Sequence, residues 1–173
     1  GSDIVFVGTA RGIARPAVVG PLEAGIAVKV YGPDWRGFIP AEAIAATSIA
    51  NERLSERYET ASIVLNDQWP AMRREGFMAM RLFDAIAAGG RVISERVDGV
   101  PELFGGAAIA FDSTDHLVSL LRQDPSELFP SEVALAAASA HVRAVHSFDA
   151  RAGELVRVMT GGEGHCTEGE QVS

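Results

Sequence analysis

The sequence predicts an α/β fold: one doubly wound parallel sheet of five or six strands, with helices on both faces and further carboxy-terminal helices. Three observations predict it. Short apolar runs alternate with longer helical stretches, the signature of a parallel sheet wrapped by helices. The runs are apolar nearly throughout, as strands covered on both faces must be. The 173 residues, 47% hydrophobic with a mean hydropathy of +0.14, suffice for one real core. Together these describe a Rossmann-like sheet.

The first strand spans 4–7, Ile-Val-Phe-Val, almost at the start of the chain. The others span 26–31, 61–65, 91–94 and 107–111, each bounded by turn residues. Between them, a helix over 14–24 stops at Gly25, one over 51–60 starts from an Asn51 cap, and one over 76–88 stops at Gly89-Gly90. Segment 32–48, with Gly, Pro and aromatics before an alanine-rich piece, reads as a loop with one short helix. Apolar spacing predicts further helices over 114–122, 131–146 and 148–159. Residues 1–2, Gly-Ser, read as a tag remnant, 3–159 as one domain, and 160–173 as a disordered tail rich in Gly and Glu. A chain that opens on a core strand directly after a tag scar is expected to be cut from a longer protein.

With 15 Lys and Arg against 23 Asp and Glu, the net charge of −8 leaves no broad basic face, so nucleic acid is not an expected partner. Lys29 is the single lysine; arginine, suited to planar forked contacts with phosphates and carboxylates, carries the remaining positive charge. The lone cysteine, Cys166, cannot form an internal disulfide. No apolar run approaches the roughly 20 residues of a transmembrane helix, and a cytoplasmic location is expected.

In an open sheet of this kind ligands bind beyond the carboxyl ends of the strands, where helix amino termini converge. The loops at that edge are 8–15, 32–37, 66–76, 95–101 and 112–115. In the first, Gly8-Thr9-Ala10-Arg11-Gly12 lets the backbone approach a phosphate while Arg11 or Arg15 offers a charged fork. An ordinary strand-to-helix turn has the same residues, and neither a dinucleotide fingerprint nor a P-loop is present. On the helix after the 61–65 strand, Arg81 and Asp84 are three apart on an otherwise apolar surface of Phe77, Met80, Phe83, Ile86 and Ala87. They either pair with one another or serve a ligand, the carboxylate taking sugar or ribose hydroxyls. Trp35 and Trp69, in loops of the ligand edge, either stack on a base or sugar or cover the sheet. The four histidines lack ligand spacing, so no metal is expected, and no nucleophile elbow is present. A signalling receiver would need clustered acids after the first strand, where Gly8-Thr9 stand instead.

In order along the chain come Val5-Phe6-Val7-Gly8, Val30-Tyr31-Gly32-Pro33-Asp34-Trp35, the run 58–66, the block 74–90, Gly99-Val100-Pro101-Glu102-Leu103 and the closing 146–151. Taken together, from Ile4 to about Met159, they resemble the carboxy-terminal, donor-binding half of GT-B glycosyltransferases of the family-4 type, near the spore-coat-like branch. The resemblance implies sugar transfer from a nucleotide-diphosphate donor, commonly with retention and with no obligatory metal or other cofactor. It implies that Glu75 contacts the donor sugar, that Asp84 takes the ribose hydroxyls, and that Gly8, Thr9 and Arg11 lie near the diphosphate, Arg11 stabilising the leaving nucleotide. Arg81 and Gly99 fall within its donor-site blocks. Asp84 stands where Glu is usual, one residue further from Glu75 than the common spacing. The resemblance also implies a partner that the chain lacks, an amino-terminal acceptor domain, without which the fragment is expected to be inactive. The competing reading is a non-catalytic nucleotide-binding or protein-interaction domain on the same scaffold.

Overall fold

The computed structural model describes residues 3–160; the expected tag remnant, and all of the expected tail except Thr160, lie outside the described residues. Six strands, β1 (Ile4–Val7), β2 (Val28–Tyr31), β3 (Ile44–Ala46), β4 (Ile63–Asn66), β5 (Val92–Glu95) and β6 (Ala108–Phe111), form one sheet in the order β3-β2-β1-β4-β5-β6. Every pairing is parallel. The chain runs outward from β1 to β3 and then returns to place β4 on the other side of β1, so the order reverses between β1 and β4.

Alternation along the strands divides two cores. Phe6, Val30, Ile63, Leu65 and Ile93 point to the face covered by α1 (Pro16–Glu23) and α6 (Thr114–Leu121), through Ala17, Val18, Leu117 and Leu121. Val5, Val64 and Val92 point to the other face, under α2 (Asn51–Thr60), α4 (Met80–Ala87), α5 (Val100–Leu103) and α8 (Glu132–His146), where Tyr58, Leu82, Ile86, Phe104, Leu135 and Val142 are buried. Helices therefore cover both faces, as the sequence predicts. Two short helices, α3 (Pro70–Arg74) and α7 (Pro125–Leu128), and the closing α9 (Phe148–Met159) complete the fold.

Two expectations change. The segment 32–48 does contain a short helical turn, Ala41–Ala43, but also β3, an edge strand of three residues with no buried side chain and a register shift against β2. Too short to carry a pattern, it is held by its pairing with β2 and by Ile44 and Ala46, which are only partly buried against the two cores. The helix expected over 76–88 is the shorter α4, and a separate helix, α3, precedes it. Pro70 starts α3 at a position where its missing N–H costs nothing. At the other end Gly76, with φ of +70°, takes the left-handed conformation of a helix stop: Gly76 N–H donates to Arg73 O (3.1 Å) and Phe77 N–H to Met72 O (2.9 Å). The glycine that looked like a helix entrance ends the preceding helix, and α4 starts four residues later.

Candidate functional site

The reversal between β1 and β4 opens a crevice of about 280 Å³ at the carboxyl edge of the sheet. It brings together six residues singled out from the sequence, Gly8, Thr9, Arg11, Arg15, Trp69 and Arg81, and adds Asp67 and Gln68. The glycine is required by close approach: a Cβ on Gly8 would stand 2.5 Å from Arg81 Nη2, and one on Gly32 would overlap the Gly8 carbonyl. Arg11, at φ of +55°, turns the loop that follows, and its guanidinium stacks on the Trp69 ring at 5.5 Å.

Beneath the loop the guanidiniums are held in place. Arg15 Nε donates to Asp67 Oδ2 (2.8 Å) in a bidentate, buried pair, and Arg15 Nη1 donates to the Thr9 carbonyl (2.9 Å). Arg81 Nη1 donates to Asn66 Oδ1 (3.0 Å), and Asn66 Nδ2 to Ser94 Oγ (2.9 Å), a chain that crosses from α4 through β4 to β5. Both guanidiniums also lie against the Phe6 ring, Arg81 at 4.5 Å and Arg15 at 5.1 Å from its centroid. Burial pulls the Arg81 guanidinium below its ordinary value, offset by neighbouring Tyr58 and Asp67. Burial pushes the Tyr58 hydroxyl up to about 12 despite Arg81. The crevice thus holds three arginines against the single carboxylate of Asp67.

The first turn of α4 completes it. Ala79 is the N-cap, with no side-chain cap and no acidic residue in the first turn; Leu82 N–H donates to the Ala79 carbonyl (3.0 Å), while the N–H groups of Met80 and Arg81 have no partner among the described residues, in a turn that lines the crevice. Three arginines, a glycine loop and a bare helix amino terminus converge on one volume, an arrangement that can bind a dianion.

The other predicted residues lie elsewhere. Arg81 and Asp84 form no ion pair among the described residues. Asp84 is exposed on the side of α4 facing α2, in a groove of about 530 Å³ with Asn51, Ser55, Tyr58 and Arg143, and burial raises its carboxyl above the usual range. Glu75 is the exposed C-cap of α3, and Gly99, at φ of +83°, is the N-cap of α5; neither lines the crevice. Trp35, expected at the ligand edge, is 1% exposed: its Nε1 donates to the Gly8 carbonyl (2.7 Å) and its ring packs edge-on to Phe6, so it braces the glycine loop from inside. Sequence reasoning missed Gln68 and the role of Asp67; the signal was the polar run Asn66-Asp67-Gln68 directly after an apolar strand. Among the described residues no group of three or more His, Cys, Asp or Glu could hold a metal ion, and no helix is long and apolar enough to cross a membrane.

Residues 15–157 match the family described as glycosyl transferase-like, more than half of the chain. The chain belongs to that family. No curated protein matches it. Among solved structures, AviGT4, a glycosyltransferase involved in avilamycin A biosynthesis, superposes with a TM-score of 0.64 at 15% identity, over 93% of this chain and 52% of that one. The GtfA/B complex gives 0.54 at 14% identity over 92% and 37%, and the kitacinnamycin glycotransferase 0.52 at 13% over 91% and 43%. These likenesses show a shared fold. The chain spans from 37% to 52% of the length of these structures.

Proposed function

We propose that the chain is the donor-binding half of a cytoplasmic glycosyltransferase of the family-4, spore-coat-like type, which transfers a sugar from a nucleotide-diphosphate donor. The observation that carries this reading is the crevice at the strand-order reversal, where the Gly8 loop, Arg11, Arg15, Arg81 and the uncapped start of α4 face one volume. The diphosphate lies there, and the guanidiniums and helix N–H groups stabilise the charge that develops on the departing nucleotide. The reading gives that task to the protein rather than to a bound metal or other cofactor. Asp84, one turn along α4, takes the ribose in the groove toward α2; Glu75 and Gly99, which lie outside the crevice, take their donor roles from the resemblance alone.

An amino-terminal acceptor domain would supply the facing wall of the active site, so the chain alone binds donor weakly and transfers little. The fraction of each structural relative that the chain spans supports this, as does α9, whose apolar stripe of Phe148, Leu155 and Met159 is 79, 60 and 76% exposed.

Titration of the 15N-labelled chain with UDP and GDP tests the reading. Amide shifts at Gly8, Arg11 and Met80 are expected with at least one of them; no shift at these positions with either would overturn it.

A further inference from the structure

Three consecutive polar residues close β4, and all are buried: Asn66 at 0% exposure, Asp67 at 8% and Gln68 at 8%. The first two are satisfied, Asn66 by Arg81 and Ser94 and Asp67 by Arg15. Gln68 is not. Its backbone N–H donates to Glu95 Oε2 (3.1 Å), but neither Oε1 nor Nε2 of the carboxamide has a partner among the described residues. Such a group costs stability outright, and leucine or methionine would fill the space without that cost.

Gln68 stands where two recesses meet. One is the arginine-lined crevice. The other, of about 140 Å³, lies behind it between Arg15, Asp67, Trp69, Glu95 and Phe111. At about 30 Å³ per water it has room for about four or five, the scale of one monosaccharide ring and too small for a nucleoside.

The chemistry of the orphaned amide selects among ligands. A phosphate only accepts hydrogen bonds, so it would satisfy Nε2 and leave Oε1 bare. An apolar group satisfies neither atom. Two adjacent hydroxyls satisfy both, one donating to Oε1 and one accepting from Nε2, while the Trp69 ring offers an apolar face to a sugar. We infer that Gln68 is a specificity-determining residue for the donor, its carboxamide pairing with vicinal hydroxyls of the transferred sugar seated in this recess. The inference rests on the donor-binding reading above: the arginines hold the diphosphate on one side of Gln68, and the sugar turns to the other.

Calorimetry on the 173-residue chain, comparing UDP with UDP-glucose and GDP with GDP-mannose, tests it in the wild type, Gln68→Leu and Gln68→Met, alongside thermal melts. The wild type is expected to bind one sugar conjugate more tightly than its bare nucleotide. Both variants should lose roughly tenfold of the preference for the sugar conjugate over its bare nucleotide, and melt no lower than the wild type. Two variants that both melt lower would make the amide structural and overturn the inference. So would a sugar preference that survives in a variant that folds, or nucleotide binding with no sugar preference in the wild type; in either case the donor-binding reading stands. Absence of any nucleotide binding would overturn that reading and the inference with it.

Discussion

Two arginine–carboxylate forks stand at the same edge of this sheet, and they differ in surroundings rather than in geometry. Arg15 and Asp67, between β1 and β4, have side chains 9% and 8% exposed; Arg96 and Asp112, beyond β5 and β6, are 52% and 53% exposed. Both are bidentate. The buried pair sits where helices, glycine loop and Phe6 exclude water, so each partner depends on the other to offset lost hydration. The exposed pair has water as an alternative to its partner. The comparison teaches that ion pairing alone does not distinguish the two; burial at the strand-order reversal does.

Removing one member of the buried pair should have the largest effect. Asp67→Ala leaves Arg15 uncompensated beside Arg81, and a loss of about 3–5 kcal/mol is expected in urea unfolding. The double replacement Arg15→Met with Asp67→Leu removes both charges and should recover most of that stability while nucleotide binding stays lost. A double variant that binds UDP or GDP like the wild type would assign the pair to folding alone.

A smaller effect is expected at Gly8, where the crevice depends on close approach. Gly8→Ala places a methyl group on Arg81 Nη2, the movable end of a long side chain, so the fold should lose only about 1–2 kcal/mol as the guanidinium swings aside. Nucleotide affinity should fall more steeply than that, by roughly tenfold, because the displaced Arg81 leaves both Asn66 and the crevice. Equal loss in melting and binding would mean that Arg81 serves the loop and not the ligand.

Much of this was legible in the sequence because parallel strands buried on both faces must be apolar nearly throughout. Five strands and α2, α6, α8 and α9 could be read to within a residue or two on that basis and on helical spacing. What could not be read depended on partners distant in the chain. β3 is recognisable only by its pairing with β2, and Gly76 suits a helix entrance or a helix stop until the Phe77-to-Met72 bond is seen. The Gly8, Thr9, Arg11 and Arg81 cluster follows from the rule that ligands gather at the carboxyl edge. Of the two readings open for Trp35 the structure takes the covering one: the ring packs on Phe6 and the Gly8 carbonyl draws the indole inside, a partner 27 residues away that no local pattern shows. Asp84 and Arg81 share a helical face by spacing, yet Asn66, fifteen residues earlier, captures the arginine and leaves the acid facing α2.

The exposed fork supplies the smallest expected effect, and its sign is fixed. Arg96 hydrogen bonds, and to a lesser degree His116, hold the Asp112 carboxyl below the usual range. A depressed folded value means that whatever stability the pair contributes is present above the ordinary carboxylate range and is lost as pH falls through the folded value. Asp112→Asn should therefore leave the melting temperature nearly unchanged at neutral pH, and the small difference from wild type should vanish in acid and in high salt, where exposed charges are screened. The Arg15–Asp67 pair, shielded from solvent ions, should keep its contribution in the same salt. If salt weakened the two forks equally in parallel melts of Asp112→Asn and Asp67→Ala, burial would not be what separates them, and the distinction between a surface pair and the frame of a binding site would fail.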